Sequence, residues 1–412
     1  MFLSRPCVIR GFSSLATTRP VNRIYWLASG DIFRNLAFEV CFYDNRARYA
    51  IEEGSQHRPA DMIFWRSDPC VVIGRNQNVW LETSPREIEG RGWRLARRMS
   101  GGGAVFHDHG NLNISFLEAK KYYDRQKCME LLRDNLVKNW PKLNIFVGPR
   151  YDLWLLPEGL SSTDLDPCKI PEGAKKISGS ASRFSSKIGL HHCTLLFNAN
   201  MTSLSSVLQP AVVRVTSPEI VSHASRSVRS EVANIGVPEE ELKSVLFNAG
   251  FDWLKMYTPD SLVELVTVNP GEEGKWVNPE AFEKNLTKFK SWDWVYGDTP
   301  TFTIPMETDD GTALCLHCAK GRITKVEQTG GPVSDVPLLQ RLSSAITGKQ
   351  PTSPWVDKLN EALVGRKLEF KEIHKALLDI EMKLSAESGG PKDPYDHVSQ
   401  IIDRLRGMAT CF

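Results

Sequence analysis

A glycine-rich segment carries the residue types best suited to bind an anion. It reads Arg97-Arg98-Met99-Ser100-Gly101-Gly102-Gly103-Ala104-Val105-Phe106. Glycines have no Cβ, so their backbone N–H groups can approach a ligand closely, and each arginine presents a planar fork of donors that suits a phosphate or a carboxylate. A bare glycine triplet is more often a surface turn, but the flanking residues favour an anion-binding loop between two strands. No Gly-Lys-Ser/Thr follows the glycines, so the segment does not match a P-loop.

A second polar segment surrounds Lys176. In the run Lys176-Ile177-Ser178-Gly179-Ser180 the polar side chains occupy alternate positions. This spacing predicts a strand with the lysine and both hydroxyls on one face. Such a face lines a polar pocket or, more commonly, is exposed to solvent. Arg75, in the polar loop 74–78, has the same two interpretations, a solvated loop charge or a pocket residue.

The sequence also offers two competing chemistries, metal binding and covalent catalysis. The runs 191–193 and 315–318 contain histidines and cysteines, but neighbours on a strand point to opposite faces and no second cysteine pair lies nearby, so we expect no metal. Ser178 and Ser180 lack a nucleophile elbow. Cys193 could carry an acyl group as a thiolate, although its apolar strand favours a buried structural cysteine. A non-catalytic binding module is the third alternative.

Composition excludes several classes of protein. The 412 residues are 24% charged with a net charge of +2, which gives no reason to expect nucleic-acid binding. No run of eighteen apolar residues exists, so no membrane insertion is expected. The nine cysteines lack framework spacing, which favours reduced thiols in an intracellular or organellar compartment. We expect a monomer.

The amino-terminal residues are basic and lack acidic side chains. Arg5, Arg10, Arg19 and Arg23 precede the first acidic residue, Asp31. Together with apolar residues that could form one face of an amphipathic helix, this pattern is typical of a mitochondrial transit peptide. We therefore predict a transit peptide over residues 1–24 and a mitochondrial matrix location, with a disordered basic tail as the alternative.

The elements that must position these residues alternate between strands and helices. We predict a helix over 32–43 and a hairpin of two strands, 61–66 and 70–74. The number of strands and the scarcity of βαβ spacings predict an α/β (α+β) fold with a mixed, mostly antiparallel sheet. We place one domain at 25–262 and a small α+β domain at 263–412.

These motifs resemble the lipoate–protein ligase A and lipoyltransferase family, most nearly the mitochondrial lipoyltransferases of animals. The glycine-rich segment and the Lys176 segment carry the resemblance, and further matches bring its extent to roughly residues 31–348. Those further matches are 69–78, 191–196, 227–230 and 291–302. The resemblance implies a biotin/lipoate-protein-ligase-type catalytic domain followed by a small C-terminal α+β accessory domain.

The resemblance also implies a ligand, lipoyl-AMP, and a catalytic residue, Lys176. The residues it implies for binding are Arg75, Arg98, Ser100, Gly101, Gly102, Gly103, Ala104, Val105, Phe106, Asp152 and Lys176. The glycine amides and the Arg98 guanidinium would hold the phosphate, and Lys176 would stabilise charge as AMP departs. Apolar strands around Val72, Val105 and Leu195 would take the acyl chain.

The acceptor implied by the resemblance is a lysine ε-amine on a lipoyl domain of a 2-oxoacid dehydrogenase E2 subunit or on the glycine-cleavage H protein. Two alternatives stay open: a full ligase that uses lipoate, ATP and Mg²⁺, and a thiol-dependent lipoyl or octanoyl amidotransferase that takes the group from a lipoylated protein. Two departures from the bacterial ligases, Tyr151 before Asp152 and a longer excursion at 157–173, favour a transferase over a full ligase.

Overall fold

The computed structural model of the protein describes residues 21–52, 60–160, 165–210, 220–257, 259, 261–271, 274–307, 311–330, 354–387 and 396–412. The strands in chain order are β1 (Val21–Leu27), β2 (Ala60–Trp65), β3 (Cys70–Ile73), β4 (Arg94–Arg97), β5 (Val105–His107), β6 (Asn111–Ala119), β7 (Ile145–Val147), β8 (Leu153–Leu155), β9 (Lys175–Lys176), β10 (Ser180–Phe184), β11 (Ile188–Leu196), β12 (Val221–Ser222), β13 (Leu262–Val268), β14 (Phe302–Glu307), β15 (Ala313–Ala319) and β16 (Arg322–Gly330).

Helices connect and cover these strands. In chain order they are α1 (Ile32–Glu52), α2 (Val79–Glu82), α3 (Pro85–Gly90), α4 (Arg125–Asn139), α5 (Met201–Val207), α6 (Glu239–Tyr257), α7 (Pro279–Lys290), α8 (Pro354–Leu363), α9 (Phe370–Glu387) and α10 (Asp396–Ala409). A 3₁₀ turn follows β6 at Lys120–Tyr122, and a π-helical turn follows α7 at Asp293–Gly297. None of the described helices is long and apolar enough to cross a membrane.

A six-stranded mixed sheet forms the centre of the fold, in the order β10-β11-β6-β2-β1-β13. The β10–β11, β11–β6 and β6–β2 pairs are antiparallel, whereas β2–β1 and β1–β13 are parallel. Because side chains alternate along a strand, β1 directs Ile24 into one apolar core and Tyr25 into another on the opposite face. The sheet is therefore buried on both faces, and the predicted mixed, mostly antiparallel fold is confirmed.

Two three-stranded sheets carry the residues singled out from the sequence. One has the order β4-β3-β5, and the glycine-rich loop connects β4 to β5. The other has the order β7-β8-β9 and ends at Lys176. A four-stranded sheet in the order β12-β14-β15-β16 joins β12 to three strands of the carboxy-terminal part, and all its pairs are antiparallel.

The predicted hairpin of β2 and β3 is wrong. β2 pairs with β1 and β6 in the large sheet, whereas β3 pairs with β4 and β5. The connection between them is bound to Gly30, whose carbonyl accepts hydrogen bonds from Asp68 N at 2.9 Å and Ser67 Oγ at 3.0 Å. These bonds turn the chain from one sheet into the other.

Three predicted boundaries differ from the structure. The predicted helix over 32–43 extends to Glu52, and Asp31 receives a hydrogen bond from Phe33 N at 2.8 Å as its amino-terminal cap. Most of the proposed transit peptide lies outside the described residues, but 21–24 belong to β1. The sheet also continues past residue 262, because β13 pairs with β1 over its whole length.

Candidate functional site

A cavity of ≈ 1010 Å³ opens where the glycine loop, the Lys176 segment and residues 225–232 meet. Of the residues predicted for the site, those that line it are Arg98, Gly101, Gly102, Gly103, Ala104, Val105, Phe106, Asp152 and Lys176. Val72 is also in the wall, but Leu195 lies in the apolar core and Leu196 takes its place. The structure therefore brings together residues from distant parts of the chain.

Arg98 shapes the glycine loop from inside. Its buried guanidinium donates to the carbonyl of Gly101 at 2.6 Å and to that of Gly103 at 2.8 Å, and its Nε also donates to Ser100 Oγ at 3.1 Å. Burial lowers the pKa of Arg98 to about 10. Because these donors hold the loop carbonyls, the side chain sets the curvature of the loop, and its predicted contact with a phosphate stays a prediction.

Gly102 is the position in the loop that requires glycine. Its φ is +88°, and a Cβ there would lie 2.8 Å from an Arg98 nitrogen. A Cβ at Gly101 would meet nothing within 4 Å. In the described part of the chain, the amides of Gly101, Gly102 and Gly103 donate to no protein acceptor. The curled loop thus leaves three N–H donors available to an anion.

Lys176 and Asp152 form the ion pair of the site. Lys176 Nζ lies 2.6 Å from Asp152 Oδ2, and the aspartate is nearly fully buried. Asp152 Oδ1 accepts a hydrogen bond from Ser180 N at 3.0 Å. One carboxylate therefore fixes both the ammonium and the start of β10, so the lysine head is held at the cavity wall.

The predicted continuous strand over 176–180 is wrong. β9 ends at Lys176 and β10 begins at Ser180, and between them Gly179 N donates to Thr194 Oγ1 at 2.9 Å. The chain passes here from one sheet to another. Ser178 and Ser180 nevertheless line the cavity with Lys176, as their alternation indicated.

Tyr151 has an unusual backbone conformation next to the ion pair. Its φ is +63°, a region that non-glycine residues rarely occupy. The Arg125 guanidinium lies 4.5 Å from the centre of the Tyr151 ring and donates to Ser180 Oγ at 3.0 Å. Arg125 thus supports the turn that presents Asp152 and adds a cation to the wall.

A buried relay of polar side chains supports the opposite wall. Ser100 Oγ is 2.7 Å from His192 Nε2, and His192 Nδ1 is 3.3 Å from Glu39. Burial raises the pKa of Glu39, but the contacts of this carboxylate with His192 and Ser115 keep the pKa below its usual range. Ser100 is absent from the cavity wall, where His192 stands instead. The serine therefore holds the loop rather than facing the cavity.

Residues 225–232 cross the cavity from the glycine loop to Lys176. Ser227 Oγ accepts hydrogen bonds from Ala104 N at 2.8 Å and Gln77 Nε2 at 3.0 Å. At the other end, Lys176 N donates to the Glu231 carbonyl at 2.7 Å. The two predicted halves of the site are thereby fastened to one segment.

Arg75, like Ser100, is not part of the cavity wall, whereas the other predicted residues line it. Its guanidinium contacts Asp298 at 3.2 Å and stacks 4.3 Å from the Trp294 ring. Arg97, the first arginine of the motif, is fully buried and points the same way: it donates to the Val295 carbonyl at 2.7 Å and to Thr299 Oγ1 at 2.9 Å. Both arginines connect the sheet of the glycine loop to the carboxy-terminal part.

Cys193 is buried, and burial raises the pKa of its thiol to about 12. A thiol in this state is almost entirely protonated at neutral pH, so it is a poor nucleophile. Among the described residues, no group of three or more His, Cys, Asp or Glu side chains is placed to hold a metal ion.

Several site residues escaped the sequence reasoning. Arg125 and Glu39 come from helices whose patterns indicate only a helix, and His192 was considered there only as a metal ligand and as part of a family match. The roles of all three depend on contacts between distant residues. The signal that could have found Arg125 is a cation at the first turn of α4 directly after the Asp124 cap.

The fold and cavity place the chain in a known class of protein. Residues 31–246 match the family model of the lipoyl protein ligase A/B catalytic domain, and the chain belongs to this family. It is similar to the mitochondrial lipoyl amidotransferases LIPT1 of Mus musculus and Homo sapiens, each 34% identical over 278 residues, or 67% of this chain. The match spans 65% of the length of those relatives.

A solved structure has the same fold. The crystal structure of P. falciparum LipL1 in complex with lipoate covers 94% of this chain and 99% of its own, with a TM-score of 0.51 and 20% identity. This likeness extends beyond the matched family region into the carboxy-terminal part of the chain.

Proposed function

We propose that the protein is a lipoyltransferase that moves a lipoyl group from lipoyl-AMP to the ε-amine of a lysine on a partner protein. The observation that carries the proposal is the Lys176–Asp152 ion pair at 2.6 Å in the wall of a cavity that Gly101, Gly102 and Gly103 also line. Lipoyl-AMP is a mixed anhydride with one phosphate charge, and this cavity offers donors for that charge.

The reaction is a direct acyl transfer. The acceptor nitrogen forms a bond to the lipoyl carbonyl carbon, the bond from that carbon to the phosphate oxygen breaks, and AMP leaves with the electron pair. The acceptor amine releases one proton to solvent. Lys176 would stabilise charge on the carbonyl and phosphate oxygens, and its place in the cavity wall supports this role. The glycine amides would hold the phosphate, and the apolar wall near Val72, Val105 and Phe106 would hold the acyl chain. Positioning contributes much of the acceleration.

The acceptors we propose are lipoyl domains of 2-oxoacid dehydrogenase E2 subunits and the glycine-cleavage H protein, and the location we propose is the mitochondrial matrix. Family membership, the basic amino-terminal residues and the mitochondrial names of the relatives support these assignments.

A second candidate donor is a lipoylated protein, because the relatives at 34% identity are named lipoyl amidotransferases. In that reaction the amide bond of the donor lysine breaks and the acceptor amide forms, and the donor amine leaves with the proton that the acceptor loses. A route through Cys193 is disfavoured, since its thiol pKa of about 12 leaves little thiolate.

The test uses the full chain, an apo lipoyl domain and three donors in parallel: lipoate with ATP and Mg²⁺, synthetic lipoyl-AMP, and a lipoylated H protein. The mass of the acceptor reports transfer. Product from lipoyl-AMP but not from lipoate and ATP is expected, and product from both would make the protein a full ligase. Product only from the lipoylated H protein would replace the proposed donor, and no product from any donor would overturn the proposal.

A Cys193→Ala variant belongs in the same experiment. Because the thiol is buried and protonated, we expect the variant to retain transfer to within about threefold of the natural protein. A loss of all transfer by Cys193→Ala, in a variant with unchanged thermal stability, would assign the reaction to an acyl-thioester at this residue.

A further inference from the structure

β10 connects the ion pair to the outside of the molecule. It is the outer strand of the large sheet, and its first residue, Ser180, donates its N–H to Asp152. Its last residue, Phe184, has a side chain that is 53% exposed. At about 3.3 Å per residue the strand spans roughly 13 Å. A protein lying along this strand would therefore reach from solvent to the lysine–aspartate pair.

Cations line this strand and its neighbouring turn. Lys120 N donates to the Lys187 carbonyl at 2.7 Å, which places exposed Lys120, Lys121 and Lys187 at the outer end of β10. Arg150, half exposed, lies at the inner end, where its carbonyl accepts from Ser180 Oγ at 3.4 Å. We call Lys120, Lys121, Arg150 and Lys187 the basic edge.

The charge of the basic edge is largely uncompensated. The runs 119–123 and 180–187 contain no Asp or Glu. In the described part of the chain, no carboxylate lies within 4 Å of the ammonium groups of Lys120, Lys121 or Lys187. Arg150 has only a contact of 3.7 Å to the Asp152 carboxylate that already holds Lys176. These cations are therefore available to an acidic surface of a partner.

Aromatic side chains accompany these cations. Phe184 packs edge-on against Tyr123 with ring centres 4.9 Å apart. Tyr122 is 42% exposed, and Lys121 Nζ lies 4.6 Å from its ring centre. Exposed aromatic residues are enriched at protein-binding surfaces.

We propose that the basic edge docks the acceptor protein through an acidic surface beside its acceptor lysine. The inference rests on the proposed acyl transfer. The acceptor lysine is itself a cation, and the cavity that it must enter contains Lys176, Arg125 and Arg150. These cations repel the acceptor lysine. Acidic residues beside that lysine offset the repulsion and bind the basic edge, and this contact orients the lysine toward the cavity.

The variant that tests this surface is Lys121→Glu combined with Lys187→Glu. With an apo lipoyl domain as acceptor and lipoyl-AMP as donor, we expect KM for the domain to rise about tenfold or more at low salt while kcat is retained. Hydroxylamine, a small uncharged nucleophile that displaces AMP from lipoyl-AMP, needs no docking, so its rate should be unchanged. In the matched control, Lys371 and Lys383, two exposed lysines of α9, are both changed to glutamate. This variant should keep KM for the lipoyl domain within about twofold of the natural protein.

Direct binding separates this inference from the proposed function. A titration of the fluorescently labelled apo lipoyl domain should show weaker binding to Lys121→Glu/Lys187→Glu and recovery when acidic residues beside the acceptor lysine are changed to lysine. If the variant shows an unchanged KM and unchanged binding for the lipoyl domain, the docking surface is overturned. This holds even if the variant loses affinity for anionic vesicles or DNA. Charge-dependent binding without any transfer overturns the proposed function and leaves the docking surface standing.

Discussion

Lys175 and Lys176 are adjacent residues with the same side chain and opposite surroundings. Lys175 is exposed, whereas Lys176 contacts Asp152 at the wall of the cavity. We expect Lys176→Ala to lower kcat for lipoyl transfer by about 10²- to 10³-fold, because it removes a preorganised donor from the position where charge develops. The acceptor mass gain under saturating lipoyl-AMP measures this effect.

Lys175→Ala is the matched control and should retain transfer to within about twofold, as substitutions of exposed charges usually do. Equal losses in the two variants would show that the pair of lysines acts through overall charge and would remove Lys176 from its proposed role. Thermal unfolding of both variants separates an effect on chemistry from an effect on folding.

At the residue scale, type and spacing predicted which side chains matter but not what they contact. Arg75, Arg97 and Arg98 have the same donors, yet Arg98 holds the loop carbonyls and the other two face Trp294 and its neighbours. Some contact partners lie more than 200 residues away in sequence, so no local pattern distinguishes the three arginines.

At the scale of elements, the glycine loop depends on one backbone conformation. Gly102→Ala places a Cβ 2.8 Å from Arg98 and forces a positive φ, a conformation that costs an L-residue about 1–2 kcal/mol. We expect this variant to raise KM for lipoyl-AMP about tenfold, because the strained loop moves the amides that hold the phosphate. Steady-state kinetics with varied lipoyl-AMP give the value.

Gly101→Ala tests the same loop without the strain, since its Cβ would meet nothing within 4 Å. Its KM should stay within about threefold of the natural protein, as expected for an unstrained substitution. If both alanine variants bind lipoyl-AMP normally, the curvature of the loop is irrelevant to donor binding.

The sequence predicted most elements correctly and their pairing less well. The apolar pattern identified β2, β3 and β11, the strands predicted at 61–66, at 70–74 and around Cys193, because it records which residues are buried. It does not record which strand lies alongside, and β2 and β3 were paired wrongly for that reason. β13 was not predicted. Its Leu262 and Leu265 are exposed, so its apolar residues do not mark a buried face as they do in a half-buried strand.

At the scale of the whole molecule, a buried histidine makes stability depend on pH. Burial, with the charge of Arg98 nearby, lowers the pKa of His107 to about 3. Between this value and the ordinary pKa of about 6.5, the unfolded chain binds a proton that the folded chain does not. The free energy of unfolding therefore falls as pH falls through this window, by about 1.4 kcal/mol per pH unit for this residue.

His107→Gln should remove that part of the slope, as measured by urea unfolding between pH 6.5 and 4. His109→Gln is the control, because the His109 side chain is 64% exposed in the folded protein. Identical slopes in the natural protein and His107→Gln would show that His107 is protonated in the folded protein.

Arg97 sets the time at which the cavity can be completed during synthesis. Its guanidinium donates to carbonyls at Gly74, Arg75 and Gln77 and to Trp294 and Val295, 197 and 198 residues further along the chain. At about 5–20 residues per second, the ribosome delivers the second set of acceptors roughly 10–40 s after Arg97 emerges. Until then this part of the Arg97 guanidinium is hydrated, and β4, the strand that leads into the glycine loop, lacks its contacts with Trp294 and Val295. The contacts of Arg97 with the segment at 293–299 therefore form only after that segment has been synthesised.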